Sequence, residues 1–166
     1  SIYEYVREAK YEIIVIDNAS TDDSVKLVKG DFPQVHLVEN SENSGYSSAI
    51  NSGLEKAKGT YYAIMNPDTE LTSDIFAPIS RFFQSNANIG AVGCIQTFSD
   101  GTSQRSFFRF PSLSGRIAYF TRINRFLNAE SLQKDKVRAE ENGHINVDVV
   151  GGAFLVVNRE IMISIG

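Results

Sequence analysis

Cysteine, histidine and positive charge are all scarce in this 166-residue chain. A single cysteine excludes a disulfide framework, and Cys94, inside the apolar run 91–95, reads as a buried inert thiol rather than a nucleophile. His36 sits in an apolar run and His144 in a polar loop, neither at ligand spacing from a second histidine or cysteine, so no zinc site is expected. With 16 basic against 20 acidic side chains the net charge is -4, which excludes a uniformly basic nucleic-acid binder and confines any basic surface to a local patch. No stretch reaches the roughly 18 apolar residues of a membrane span, and no basic-then-apolar leader opens the chain. The chain itself is therefore not expected to cross a bilayer, and cytoplasmic chemistry fits. Both standard phosphate motifs are also missing: there is neither a dinucleotide glycine fingerprint nor a loop ending in Gly-Lys-Ser/Thr. A metal would then have to hold any diphosphate.

What is present is ordinary globular material, 42% hydrophobic and 22% charged, enough for one domain burying roughly 70% of its unfolded surface. Ile2, Tyr5, Val6 and Ala9 recur at helical spacing, so the chain is expected to begin inside a helix. Residues 12–17, Glu-Ile-Ile-Val-Ile-Asp, read as a doubly covered parallel strand. The polar stretch 18–24 then supplies cap candidates for a helix to about Lys29. Residues 35–38 form a second strand, and a helix opens at Gly45 and runs through Lys58 with Gly59 as its C-terminal cap. A third strand at 60–66 ends at Pro67, and Ser73 or Asp74 caps a helix with Ile75, Ile79, Phe82 and Phe83 on one face. Strands alternating with helices imply a parallel α/β sheet.

Beyond Asn86 the pattern changes. Runs 91–97 and 103–110 flank an Asp100-Gly101 turn signal and predict a hairpin. Leu113, Ile117, Phe120, Ile123 and Leu127 mark an amphipathic helix over 112–127, followed by a charged connection over 131–146. Residues 147–157 return to strand character, interrupted by Gly151-Gly152, where a bulge or a close ligand approach is the usual reason for glycine. Residues 160–165 are apolar with nothing evident to pack on, and both ends of the chain read as cut.

Ligands of an open parallel sheet bind beyond the carboxyl ends of its strands. Those ends carry Asp17, the loop 39–45 and Asn66-Pro67-Asp68, three polar loops expected to converge on one crevice. Any one of these carboxylates alone reads as a helix cap or a loop charge; together they read as a site. Val-Ile-Asp-Asn-Ala-Ser-Thr-Asp (15–22), Glu-Asn-Ser-Gly-Tyr (42–46), Asn51, Asn-Pro-Asp-Thr-Glu (66–70) and Gly151-Gly152-Ala153, in this order and spacing, resemble the family 2 glycosyltransferases of GT-A fold. Within them the likeness is nearest to the rhamnosyltransferase-like branch, and it covers nearly the whole chain.

The resemblance implies a GT-A-like, Rossmann-like α/β domain: a mostly parallel sheet flanked by helices, with a hairpin and an acceptor-side helix. Residues 1–95 would form the nucleotide-sugar-binding half and 96–166 the acceptor-side half. It implies that Asp17 contacts the base of a dTDP- or UDP-sugar, that Asn18, Asn43, Gly45, Asn51 and Asn66 lie with it around the nucleotide-sugar, and that Asp68 ligates Mg²⁺ or Mn²⁺ at the Asp-x-Asp position. Asn66 stands where the first aspartate of that pair is usual. Gly151 and Gly152 resemble the acceptor-side loop, with a plain strand bulge as the alternative. The family's first strand and the Glu-Asp motif whose carboxylate activates the acceptor hydroxyl are not in the sequence, so the catalytic residue is unassigned and expected beyond Gly166; Asp148 is the sole nearby substitute.

The implied activity is inverting, metal-assisted sugar transfer to a saccharide or lipid-linked acceptor in surface polysaccharide synthesis. A binding or scaffold module without turnover, or a sugar-nucleotide pyrophosphorylase of similar fold, are the rivals. Arg105 and Arg109 beside Phe107 and Phe108 read either as a solvated strand edge or as diphosphate or acceptor contacts, and Tyr46 either stacks on a base or fills the core. The stripe of the 112–127 helix opposes Arg122 and Arg125, with Lys134, Lys136 and Arg138 behind, so peripheral contact with the inner face of a membrane stands beside simple packing on the sheet.

Overall fold

The computed structural model describes residues 1–108, 110, 137, 139 and 143–165. The expected 112–127 helix, Arg109, and the basic residues Lys134, Lys136 and Arg138 lie outside the described residues. Among those described, no helix is long and apolar enough to cross a membrane.

The chain divides into two compact units, one of residues 1–64, 68–90 and 156–166 and one of residues 65–67 and 91–155. In the first, β1 (Ile14–Asp17) pairs in parallel with β2 (His36–Glu39), in a register that sets Asp17 beside Glu39. Between them runs α2 (Ser24–Asp31), and after them α3 (Tyr46–Lys56). This is the expected strand–helix–strand–helix order, and α3 lies close on β1: a Cβ built at Gly53 would be 3.3 Å from the Ile16 side chain. In α4 (Phe76–Ser85), Ile79 and Phe83 are buried. Phe83 stacks on Tyr61 at 4.8 Å between ring centroids. Asp74 caps α4 as the sequence suggests, its Oδ1 accepting the N–H groups of Phe76 and Ala77 at 3.0 and 3.2 Å.

Some expected boundaries move, each for a local reason. The first helix is a single turn, α1 (Ile2–Tyr5), and Val6 leaves it in extended conformation to be buried, so the spacing to Ala9 does not continue. The third helix stops at Ala57 rather than being capped by Gly59, because the Lys58 N–H is captured by Glu12 Oε1 at 2.7 Å. The apolar C-terminal segment forms α5 (Arg159–Ile165). It does have a packing partner, since Ile161 lies over Gly90 with its Cγ2 3.3 Å from where a Cβ would stand.

A three-stranded sheet has the order β3–β9–β4, where β3 is Tyr61–Met65, β4 Ala91–Val92 and β9 Phe154–Asn158. β9 carries Phe154, Val156 and Val157, all buried. The runs 91–97 and 103–110 are not two continuous strands. In the second unit β5 (Gln96–Thr97) and β6 (Ser103–Gln104) make the hairpin, while β7 (Phe107–Phe108) pairs antiparallel with β8 (Val149–Val150). The hairpin turn is held by Asp100 Oδ1, which accepts the Thr102 N–H at 2.8 Å and the Thr102 hydroxyl at 2.6 Å. The architecture is thus α/β, but among the described residues the strands fall into four small sheets, two of them antiparallel pairs, where a mostly parallel sheet is expected.

Candidate functional site

The parallel pairing of β1 and β2 brings their two following loops together, and the Asn40 N–H donates to the Asp17 carbonyl at 2.9 Å just beyond the last register pair. Asp17 is 9% exposed, and its Oδ2 accepts the Ser20 N–H at 3.1 Å. Ala19 between them takes a left-handed φ of 63°, so the chain turns sharply at the end of the strand. Oδ1 of Asp17 has no hydrogen-bond partner among the described residues.

Asn18 joins the two loops. Its Nδ2 donates to Asn43 Oδ1 at 2.8 Å and to the Gly45 carbonyl at 3.5 Å. Its Oδ1 accepts from Asn40 Nδ2 at 3.2 Å and from both the N–H and the hydroxyl of Ser44 at 3.3 Å. Asn43 Oδ1 also accepts the Gly45 N–H at 3.1 Å. Gly45, with φ 84° and ψ 168°, is the residue from which α3 starts. Of the residues expected around the nucleotide-sugar, Asp17, Asn18, Asn43 and Gly45 are therefore brought together in one place. Asn51 lies on the exposed surface of α3 and takes no part in this network. Sequence reasoning did not single out Asn40, Ser44 or Ser20; the available signal was that short hydroxyl and amide side chains at strand ends tie their own loops.

Asn66 follows β3, its N–H donating to the Ala153 carbonyl at 2.9 Å, so it stands beside the Gly151-Gly152-Ala153 loop. Gly151 answers a close backbone approach: its N–H donates to the Ser106 carbonyl at 2.7 Å, and a Cβ would stand 2.9 Å from that oxygen. Gly152 lies in the exposed turn before β9. Asp68 is exposed, and its carboxylate forms no ion pair or hydrogen bond among the described residues.

The remaining candidates sort by exposure and partner. Tyr46 is 54% exposed, so it does not fill the core. Arg105 is exposed and lays its guanidinium over the Phe108 ring at 4.9 Å from the centroid. Asp148 Oδ2 accepts the Phe110 N–H at 2.9 Å. Cys94 is half-buried, and that burial pushes its thiol up from the ordinary pKa, away from the thiolate a nucleophile needs.

A metal finds few donors in the chain alone: among the described residues no three His, Cys, Asp or Glu side chains cluster to hold one. A single open carboxylate such as Asp68 suits Mg²⁺ or Mn²⁺, hard ions that take only one or two protein carboxylates and complete their shell with phosphate oxygens and water. The donor set fits an ion that arrives with a diphosphate and does not fit a pre-built protein cage.

These features define an α/β protein with polar loops gathered at the carboxyl ends of parallel strands, the usual ligand position in such sheets. Residues 1–161 match the family model for Glycosyl transferase family 2, and the chain belongs to that family. Among curated relatives, the uncharacterized glycosyltransferase YibD of Escherichia coli (strain K12) is 41% identical over 63 residues, which are 36% of this chain and 18% of YibD. The putative teichuronic acid biosynthesis glycosyltransferase TuaG of Bacillus subtilis (strain 168) is 29% identical over 105 residues, 61% of this chain and 42% of TuaG. The chain thus matches less than half the length of either relative. A mannosyltransferase from Pyrobaculum calidifontis, PcManGT, solved in complex with GDP-Man and Mn²⁺, superposes with a TM-score of 0.50 at 29% identity, covering 57% of this chain and 29% of its own.

Proposed function

We propose that this chain provides the donor-binding region of a glycosyltransferase that moves a sugar from a nucleotide-sugar to a saccharide or lipid-linked acceptor, with inversion, in surface polysaccharide synthesis. The observation that carries the reading is the gathering of Asp17, Asn18, Asn43 and Gly45 at the ends of two parallel strands in a family 2 chain. The solved complex of PcManGT with GDP-Man and Mn²⁺ supports a nucleotide-sugar donor and a divalent ion. The likeness of the motifs to the rhamnosyltransferase-like branch makes dTDP-rhamnose the donor to test first, with UDP- and GDP-sugars beside it.

In this reading Oδ1 of Asp17, without a partner among the described residues, takes a polar edge of the base. Asp68 would hold Mg²⁺ or Mn²⁺, with Asn66 beside it in sequence to orient or hydrogen-bond. When bound, the ion supplies charge that offsets the negative charge developing on the diphosphate leaving group. Gly151 and Gly152 are assigned to the acceptor side. We assign no base role to Asp148, whose carboxylate is engaged with the Phe110 N–H. General-base assistance is worth about 10²–10⁴ in rate, and in this reading it is assigned to none of these residues.

Calorimetry with UDP, dTDP and GDP, each with and without Mn²⁺, tests the assignment. Wild type is expected to bind its preferred diphosphate at least about tenfold tighter with Mn²⁺, roughly 1.4 kcal/mol, and Asp68→Asn is expected to lose that gain. Equal Mn²⁺ dependence in the two proteins would remove Asp68 from the metal site.

A further inference from the structure

Resting on the donor-binding reading above, we infer that Asn18 is a positioning residue: its side chain is wholly occupied in tying the loop after β1 to the loop that opens α3, and it shapes the nucleotide site without touching the base.

The argument is one of hydrogen-bonding capacity. A primary amide offers two N–H donors and one oxygen with two lone pairs. Its Nδ2 donates to Asn43 Oδ1 at 2.8 Å and has a second, longer contact of 3.5 Å to the Gly45 carbonyl, which also accepts the Ala49 N–H at 3.1 Å. Its oxygen already receives Asn40 Nδ2 and the Ser44 N–H and hydroxyl. The orientation of the amide is fixed by main-chain groups that allow no exchange of roles, because the Ser44 N–H can only donate and the Gly45 carbonyl can only accept. The closer contacts of Asn18 all run to residues 40, 43 and 44, so its amide is committed to the loops and not to a base edge. Asp17 next to it is different, since one of its carboxylate oxygens remains without a partner among the described residues.

What Asn18 holds matters for the site. Ser44 and Gly45 immediately precede α3, and Gly45 adopts a backbone conformation that non-glycine residues avoid. Two side chains, Asn18 and Asn43, hold this turn in place, the first across the loops and the second from within, through the Gly45 N–H. Because Asn18 reaches Gly45 partly through Asn43, the two residues should act as one unit.

The test has two arms on the intact protein. In the first, residue-resolved amide exchange without nucleotide is compared in wild type, Asn18→Ala and Asn18→Asp. Asn18→Ala is expected to speed exchange at Ser44 and Gly45 about tenfold while Asn40, bonded to the Asp17 carbonyl, is unchanged. Asn18→Asp retains an acceptor for the Ser44 N–H but loses the donor that holds Asn43 Oδ1, the acceptor of the Gly45 N–H, so Ser44 should stay protected and Gly45 should not. In the second arm, UDP, dTDP and GDP are titrated in the presence of Mn²⁺. Asn18→Ala is expected to weaken all the diphosphates that bind by one common factor, about tenfold, and Asn18→Ala combined with Asn43→Ala should be no weaker than the worse single variant. Unchanged exchange at Ser44 and Gly45, a loss that differs between bases, or additive losses in the double variant would each overturn the inference. Should wild type bind none of the three diphosphates, the donor-binding reading falls, and the exchange arm alone decides whether Asn18 is the tie.

Discussion

Gly45 and Gly151 both stand in loops that the sequence marks out, yet they are glycine for opposite reasons. At Gly45 a Cβ would meet nothing within 4 Å, and the requirement is conformational, a φ of 84°. At Gly151 the backbone does not enter the left-handed region, and the requirement is spatial: the Ser106 main chain occupies the room a Cβ needs, with its oxygen at 2.9 Å and its carbon at 3.3 Å. The first kind of glycine can be replaced at the cost of local backbone strain. The second cannot be replaced unless two backbone segments separate. Sequence alone offers for Gly151 a bulge or a ligand approach; the structure supplies a third explanation, the neighbouring strand end.

Substituting each glycine in turn tests the contrast most directly. Gly151→Ala is expected to have the larger effect, about 2 kcal/mol from overpacking against main-chain atoms, or a melting temperature lower by about 4–8 °C for a chain of this size. Thermal unfolding measures it, and a variant as stable as wild type would mean that Ser106 gives way freely. Gly45→Ala is expected to cost less in stability, about 1 kcal/mol, but to weaken binding of nucleoside diphosphate about fivefold, because the turn before α3 is displaced. If calorimetry finds unchanged affinity, the conformation of Gly45 does not matter to the site.

The smallest expected effect concerns acid. Asp22 in the first unit and Asp100 in the second are held below the ordinary carboxylate range by hydrogen bonds from Ser24 and from Thr102, respectively. A carboxylate depressed in the folded state stabilises the fold at neutral pH, and that contribution is lost as pH falls from about 4 through the lowered value. Both groups are fully exposed, so the change is slight. Denaturation midpoints between pH 5 and about 2 should fall less steeply in Asp22→Asn and Asp100→Asn than in wild type; identical slopes would show that neither bond contributes.

Much of the first unit was legible in sequence because its signals are local. A continuous apolar run ending in Asp17 and a second run over 35–38, each followed by a polar loop, predict parallel strands with a site at their ends, and β1 and β2 pair in that way. What stayed hidden depends on partners far apart in the chain. Glu12 ends the third helix early by taking the Lys58 N–H, and no capping rule anticipates a side chain so distant in sequence. The runs 91–97 and 103–110 look like two long strands because apolar content does not reveal which neighbour each segment will meet. Segment 91–92 joins a sheet with β9, and 107–108 finds 149–150. In the site, the family resemblance pointed to Asn18 and Asn43, but only the geometry shows that they bond to each other.

The place of β9 in its sheet bears on how the protein folds. β9 lies between β3 and β4, although residues 66–153 separate it from β3 along the chain. Closing a loop of that length costs about 4 kcal/mol by the logarithmic law, so neither flanking strand can find its partner early or cheaply. During synthesis β3 and β4 emerge first and wait with open edges until residues 154–158 appear. Once it arrives, the strand buries Phe154, Val156 and Val157, each contributing about 1.5–3 kcal/mol, which is enough to offset the closure. The late strand is therefore the one that most needs to be apolar, and polar substitutions in it should slow folding more than equal substitutions in β1 or β2, whose partners are near neighbours in sequence.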